Sequence, residues 1–166
     1  MAVALELFCL NDLDSLVKYA NNPKIAANLT DQFPYPYTKK DGERFLENVM
    51  KQNPTQVFKI AFNNNFCGAI GLHPQRDIMR KNAELGYWIA EPFWGKGIAT
   101  SAIKEIIPYG FQTFEITRIF ARPYGTNKAS QRVLQKAGFQ LEAHLEKTIF
   151  KNNMFLDEFI YAVRND

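Results

Sequence analysis

From Glu84 to Thr100 the chain reads Glu-Leu-Gly-Tyr-Trp-Ile-Ala-Glu-Pro-Phe-Trp-Gly-Lys-Gly-Ile-Ala-Thr, a strand-like run that enters a glycine loop and opens directly into a helix. Gly95 and Gly97 flank Lys96, and glycine lets successive backbone N–H groups converge without side-chain obstruction. The following helix adds unpaired N–H groups and the positive end of its dipole. The chemistry on offer is capture of an anion such as a pyrophosphate, with Lys96 as a point charge. A Gly-x-Gly turn at a helix start serves structure as readily as binding. It is not a Walker A loop, because Lys96 is followed by Gly97 rather than Ser or Thr. A dinucleotide fingerprint is also a poor match, since the third glycine is missing.

A second such junction follows. Arg122-Pro123-Tyr124-Gly125-Thr126-Asn127-Lys128-Ala129-Ser130 again leaves a strand for a helix, and Leu134-Gln135-Lys136-Ala137-Gly138-Phe139 closes that helix. The net formal charge of +3 is too mild for a nucleic-acid binder on electrostatic grounds, and suits a small anion held by a few local cations. Cys9 and Cys67 each sit in an apolar run and read as reduced core thiols of a cytoplasmic protein. His73 and His144 make no metal-ligand spacing with them, so no metal is expected. Met1 to Leu10 lacks a basic leader and meets Asn11 and Asp12 at once, so neither a signal peptide nor a membrane partner is expected.

The elements that must position these residues follow from periodicity. A chain of 166 residues suits one domain over 1–166, and an aromatic content of 14% predicts an aromatic-rich core. Val3 to Phe8 alternates as a strand. Asn11 or Asp12 can cap a helix with Leu13, Leu16, Val17 and Ala20 on one face, which Asn21-Asn22-Pro23 stops. Phe33-Pro34-Tyr35-Pro36-Tyr37 reads as an ordered loop, and Thr38 as the cap of a helix burying Phe45, Leu46 and Val49. Val57 to Phe62 and Phe66 to Leu72 form antiparallel strands across an asparagine turn. Ala83 to Ala90 is a strand, and Gly97 to about Phe114 a helix burying Ile98, Ala102, Ile106 and Phe111, with Pro108 expected to kink it or remove a bond. Ile116 to Ala121 is strand-like, and Lys128 to Ala137 is helical with Gly138 at the C′ position. Phe139 to Phe150 and Met154 to Val163 are strands joined across Lys151-Asn152-Asn153. This order gives a mixed α+β sheet flanked by helices.

With these motifs in order, the chain resembles a GNAT superfamily N-acetyltransferase of the RimJ/RimL type, the ribosomal-protein N-terminal acetyltransferase branch. The likeness rests on Asn22-Pro23, Phe33-Pro34-Tyr35, Gly68-Ala69-Ile70-Gly71, Glu84 to Thr100, Asn127 to Phe139 and the closing hairpin. It implies a central, mostly antiparallel twisted sheet of about seven strands, with strands Ala83–Ala90 and Ile116–Ala121 splayed to form a coenzyme A cleft. It implies acetyl-CoA as co-substrate and transfer to a primary amine by direct attack on the thioester. Backbone groups near Trp88 and Ile89 are expected to pair with pantetheine. The family's pyrophosphate motif falls on Trp94, Gly97 and Ala99, within a cradle of Gly95, Lys96, Gly97, Ile98, Ala99 and Thr100. Trp94 departs from the usual Gln or Arg. Asn127 matches the asparagine that contacts the pantetheine arm.

Transfer to an amine needs a proton removed, an oxygen stabilised and a thiolate protonated. Ser130 is the candidate acid. Leu134 occupies the place where many members carry tyrosine, and the serine is thought to take over in this branch. The alternative is that Ser130 only bonds backbone in its first helical turn. Glu84 is the candidate base, acting through water, against the reading of an exposed strand carboxylate near Lys81. Phe33, Tyr35 and Glu146 are the candidate acceptor contacts, with Asp157 or Glu158 further possibilities for an ammonium. Trp88, Phe93 and Trp94 read as packing more than as partners for adenine. The acceptor is a small-molecule or a peptide or protein amine, and the chain a monomer or homodimer. Two rivals stay open: a non-catalytic coenzyme A-binding sensor or interaction module with the same fold, and a nucleotide-phosphate enzyme using the Gly95–Gly97 loop.

Overall fold

A computed structural model describes residues 2–165. Twelve regular elements are introduced in chain order. They are β1 (Val3–Glu6), α1 (Leu13–Ala20), α2 (Pro23–Ala26), α3 (Lys39–Met50), β2 (Val57–Phe62), β3 (Asn65–Pro74), β4 (Asn82–Ile89), α4 (Ile98–Thr113), β5 (Arg118–Ala121), α5 (Lys128–Lys136), β6 (Gln140–Lys151) and β7 (Met154–Arg164). The strands hydrogen-bond in the order β1-β2-β3-β4-β5-β7-β6, a mixed α+β arrangement with helices flanking an open, mostly antiparallel sheet. β4 and β5 pair in parallel, because α4 is the crossover between them. Their pairing covers Asn82–Glu84 against Arg118–Phe120 and stops there, although β4 runs on to Ile89. The chain groups into two compact units: Met1–Gly71 with Tyr87–Ala102, and Leu72–Gly86 with Ile103–Asp166.

In the first unit, Leu16, Ala20, Leu46 and Val49 are buried together with Phe8, Ile25, Tyr37, Val57 and Trp88. α1 and α3 approach closely at Gly42, where a Cβ would stand 2.8 Å from Val17 and 2.9 Å from Leu13. Thr38 caps α3 as expected, in a reciprocal box with Asp41. In the second unit, Ile103, Ile106, Ile119, Leu134, Phe139 and Tyr161 are buried. Of the residues expected inward on α4, Ile98, Ala102 and Ile106 are buried and Phe111 only partly so. The helix runs unbroken through Pro108 to Thr113. Both asparagine turns take left-handed backbone angles, at Asn63 and Asn64 and at Asn152 and Asn153.

Four local expectations are corrected. Pro23 does not simply stop α1; it opens α2 as the first helical residue, with the Asn22 side chain accepting from the Lys24 N–H. β1 ends at Glu6, which leaves Cys9 exposed rather than in the core, while Cys67 is buried. β5 begins at Arg118, two residues later than the apolar run suggested. Asp12 precedes α1 without a side-chain cap bond. Its carboxylate instead accepts from the Cys9 N–H at 2.8 Å and pairs with Lys59 Nζ at 3.0 Å. Both side chains of that ion pair are largely buried, and Lys59 Nζ also pairs with Glu6 at 3.2 Å, so removing Asp12 leaves a largely buried ammonium with one carboxylate partner. Asp12→Ala is expected to destabilise the fold by about 3 kcal/mol in equilibrium urea unfolding, and Asp12→Asn by less.

Candidate functional site

The glycine loop lies in the first unit. β4 ends at Ile89, a short 3-10 turn spans Glu91–Phe93, and α4 starts at Ile98. Gly95 and Gly97 each adopt φ +75, and a Cβ added at either would meet nothing within 4 Å. Glycine is therefore required by the backbone angle and not by crowding. Lys96 is exposed between them, Ile98 is buried as the anchor of the helix start, and Ala99 and Thr100 are half-buried. The first-turn N–H groups of α4 have no intrahelical acceptor, so loop and helix offer donors at one exposed place.

Two contacts fix the loop. The Trp94 indole N–H donates to the Ile89 carbonyl at 2.7 Å. Glu91 accepts from Asn22 Nδ2 at 2.7 Å and from Lys24 Nζ at 2.6 Å, tying the turn to α2. Trp94 is 45% exposed, and its N–H is spent on the backbone at the end of β4. Phe93 is half-buried.

Trp88 is buried against Phe33 and Phe66, with ring centroids 6.0 and 6.1 Å away. Its carbonyl faces β3, where a Cβ on Gly68 would come within 2.1 Å, and the Ala90 N–H donates to the Cys67 carbonyl. By strand alternation the Ile89 main chain points away from β3. Of the two residues expected to offer backbone groups outward, Ile89 does so and Trp88 is turned inward.

The proton-transfer candidates lie in the second unit. Glu84 is half-buried, with Phe120 as its register partner. Burial raises its pKa above the usual glutamate value; the Arg122 guanidinium pulls it down and Glu158 pushes it up. It is not the freely exposed strand carboxylate of the alternative reading. Glu158 is 2% exposed and receives Arg122 Nε at 2.6 Å and Thr148 Oγ1 at 3.2 Å. Asn127 caps α5, its side chain accepting from the Ser130 N–H at 3.2 Å. Ser130 thus stands half-buried in the first turn of α5, and Leu134 is fully buried. Gly138 takes φ +97 beyond the helix end, the C′ conformation expected of it.

The acceptor candidates are spread out. Phe33 packs on Tyr37 and Trp88, whereas Tyr35 is 53% exposed. Glu146 is exposed where the β6–β7 register slips between Leu145 and Ile149. Asp157 is held by His144 Nε2 at 2.8 Å and the Lys147 N–H at 3.0 Å, so its carboxylate is already engaged. Sequence reasoning missed Arg122 and Thr148. The one available signal was Glu158 itself, a charge in the apolar run Phe155–Ala162 that requires a partner if it points inward. Among the described residues no group of three His, Cys, Asp or Glu could hold a metal ion, and no helix is long and apolar enough to cross a membrane.

Comparison with known proteins gives consistent matches. The family model for the acetyltransferase (GNAT) domain matches residues 3–140. The chain is 35% identical to the Bacillus subtilis protein YdaF over 104 residues, 63% of this chain and 56% of that protein. It is 30% identical to the ribosomal-protein-serine acetyltransferase of Escherichia coli over 117 residues, 69% of this chain and 65% of that one. These matched stretches thus span between half and two thirds of each relative's own length. Among solved structures, the microcin C7 self immunity acetyltransferase MccE, in complex with acetyl-CoA and AMP, superposes with a TM-score of 0.83 at 26% identity. That match covers 98% of this chain and 92% of the MccE chain.

Proposed function

The chain belongs to the GNAT acetyltransferase family, and on that premise we propose that it is an acetyl-CoA-dependent N-acetyltransferase acting on a primary amine. The observation that carries the reading is the pair of glycines at φ +75 opening the mouth of α4. That cradle fits a diphosphate: its donors are backbone N–H groups, its glycines leave the approach open, and Lys96 adds a cation.

When bound, acetyl-CoA supplies an acyl thioester and a thiol leaving group. The N–H groups of residues 95–99 hold the diphosphate, and Lys96 and Thr100 flank it. The Ile89 N–H, on the edge of β4 turned away from β3, hydrogen-bonds the acyl carbonyl oxygen and strengthens that bond as negative charge develops there. Asn127 orients the pantetheine arm. Glu84 accepts the proton of the attacking amine through water, and its raised proton affinity suits that task. Ser130 Oγ donates a proton to the departing sulfur as it takes one up from solvent. Phe33 and Tyr35 in the first unit and Glu146 in the second are the candidate acceptor contacts. The acceptor is a protein N-terminal amine or a small-molecule amine. The protein works in the cytoplasm as a monomer or homodimer, with no nucleic-acid or membrane partner.

Release of free thiol on mixing with acetyl-CoA and a panel of peptides and small amines tests this reading. Turnover on at least one amine supports it. Tight coenzyme A binding with no thiol released on any amine would instead favour a non-catalytic binding module. With an active acceptor in hand, Ser130→Ala is expected to lower kcat by about tenfold to a hundredfold while leaving KM for acetyl-CoA nearly unchanged. Unchanged kcat would remove Ser130 from the acid role.

A further inference from the structure

The second unit holds an ion pair that substrate binding does not need. Arg122 lies two residues beyond Phe120, the register partner of Glu84, and by strand alternation shares its face. Its Nε donates to Glu158 Oε2 at 2.6 Å, and the other Glu158 oxygen accepts from Thr148 Oγ1 at 3.2 Å. The Glu158 side chain is 3% exposed and the Arg122 side chain 47%. A carboxylate at that depth stays ionised only with a partner. Glu158 therefore acts as an anchor, and the guanidinium as a charge fixed in place within electrostatic reach of Glu84.

We propose that Glu158 pins Arg122 as a permanent positive charge beside Glu84, making Arg122 a positioning residue that keeps the Glu84 carboxyl in its proton-accepting form. The proposal rests on the reading of Glu84 as the base. The groups around Glu84 are few. On β3, the bond from the Gln75 N–H to the Asn82 carbonyl sets a register that places His73 opposite Glu84. The His73 side chain is exposed, and its pKa is lowered rather than raised, which disfavours it as a rival cation. Beyond β5, Tyr124 adjoins Arg122, and β7 supplies Glu158.

The signs follow from the order of the effects. Burial raises the Glu84 pKa most, Arg122 lowers it, and Glu158 raises it by less than Arg122 lowers it. Removing the guanidinium therefore moves Glu84 upward. Removing the Glu158 charge would by itself move it downward, but it also unpins the guanidinium, whose effect is the larger, so the net shift is upward. The test is a carbon-13 NMR titration of the Glu84 carboxyl together with the pH profile of kcat/KM, in wild type, Arg122→Gln, Arg122→Lys and Glu158→Gln. Thermal melts restrict the comparison to variants that fold. Arg122→Gln should shift the carboxyl titration and the acid limb of the rate to higher pH, Glu158→Gln should shift both in the same direction because it releases the guanidinium, and Arg122→Lys should restore values near wild type. A Glu84 titration unmoved in folded Arg122→Gln and Glu158→Gln overturns the proposal. A titration that moves while the acid limb stays put leaves the tuning intact and instead refutes Glu84 as the base.

Discussion

Gly97→Glu is expected to abolish coenzyme A binding. Gly97 sits at φ +75 with open space where a side chain would go, so the variant suffers two separable penalties. Left-handed geometry costs a side-chain-bearing residue about 1–2 kcal/mol. A carboxylate placed about 4 Å from a diphosphate charge costs about 4 kcal/mol more at an effective dielectric near 20. The first falls on folding and the second on binding, which weakens by about three orders of magnitude. Gly97→Asn, which tolerates the angle and carries no charge, should lose far less. Isothermal calorimetry with coenzyme A separates the two. Equal affinity in the glutamate variant and the wild type would remove the cradle from this loop.

The next largest effect is expected from Glu84→Gln, which keeps the shape of the side chain and removes its basicity. A general base contributes about 10²- to 10⁴-fold, and kcat/KM should fall within that range. The pH dependence carries the sign. Burial holds the Glu84 pKa above the ordinary value of 4.5, so the active, deprotonated form is lost as pH falls through that elevated value. Wild type should show an acid limb there that the glutamine variant lacks. An α-amine acceptor, with a pKa of about 7.7–8.0, adds a limb at higher pH that both proteins keep. A wild-type rate in the variant would leave the deprotonation to the acceptor alone.

Much of the fold could be read from residue order because its determinants are local. Val57–Phe62 is a short apolar run that leads into asparagines that tolerate left-handed angles, so β2 is legible to the residue. Gly138 marks the end of α5 by the same local logic. The glycine loop was legible too, since a positive φ is a property of the residue itself. Pro23 misled because proline both halts a helix in its interior and opens one at its first position. Asp12 looked like a cap in sequence, whereas its carboxylate serves Lys59, distant in the chain.

The site was legible where backbone builds it and obscure where side chains meet across strands. Nothing near Arg122 in sequence announces Glu158, because their pairing depends on β5 and β7 being neighbours. The indole of Trp94 reaching Ile89 is likewise a product of how the turn Glu91–Phe93 folds back. Phe33 was expected to meet the acceptor, and its packing on Tyr37 and Trp88 gives it a structural task as well.

The position of the diphosphate decides the mechanism, and an amide proton–nitrogen NMR titration with coenzyme A reads that position directly. The largest shifts are expected at Gly95, Lys96, Gly97, Ile98 and Ala99, with smaller ones at Ile89 and Asn127. Saturable binding that leaves the amides of residues 95–99 unmoved while others shift would contradict it.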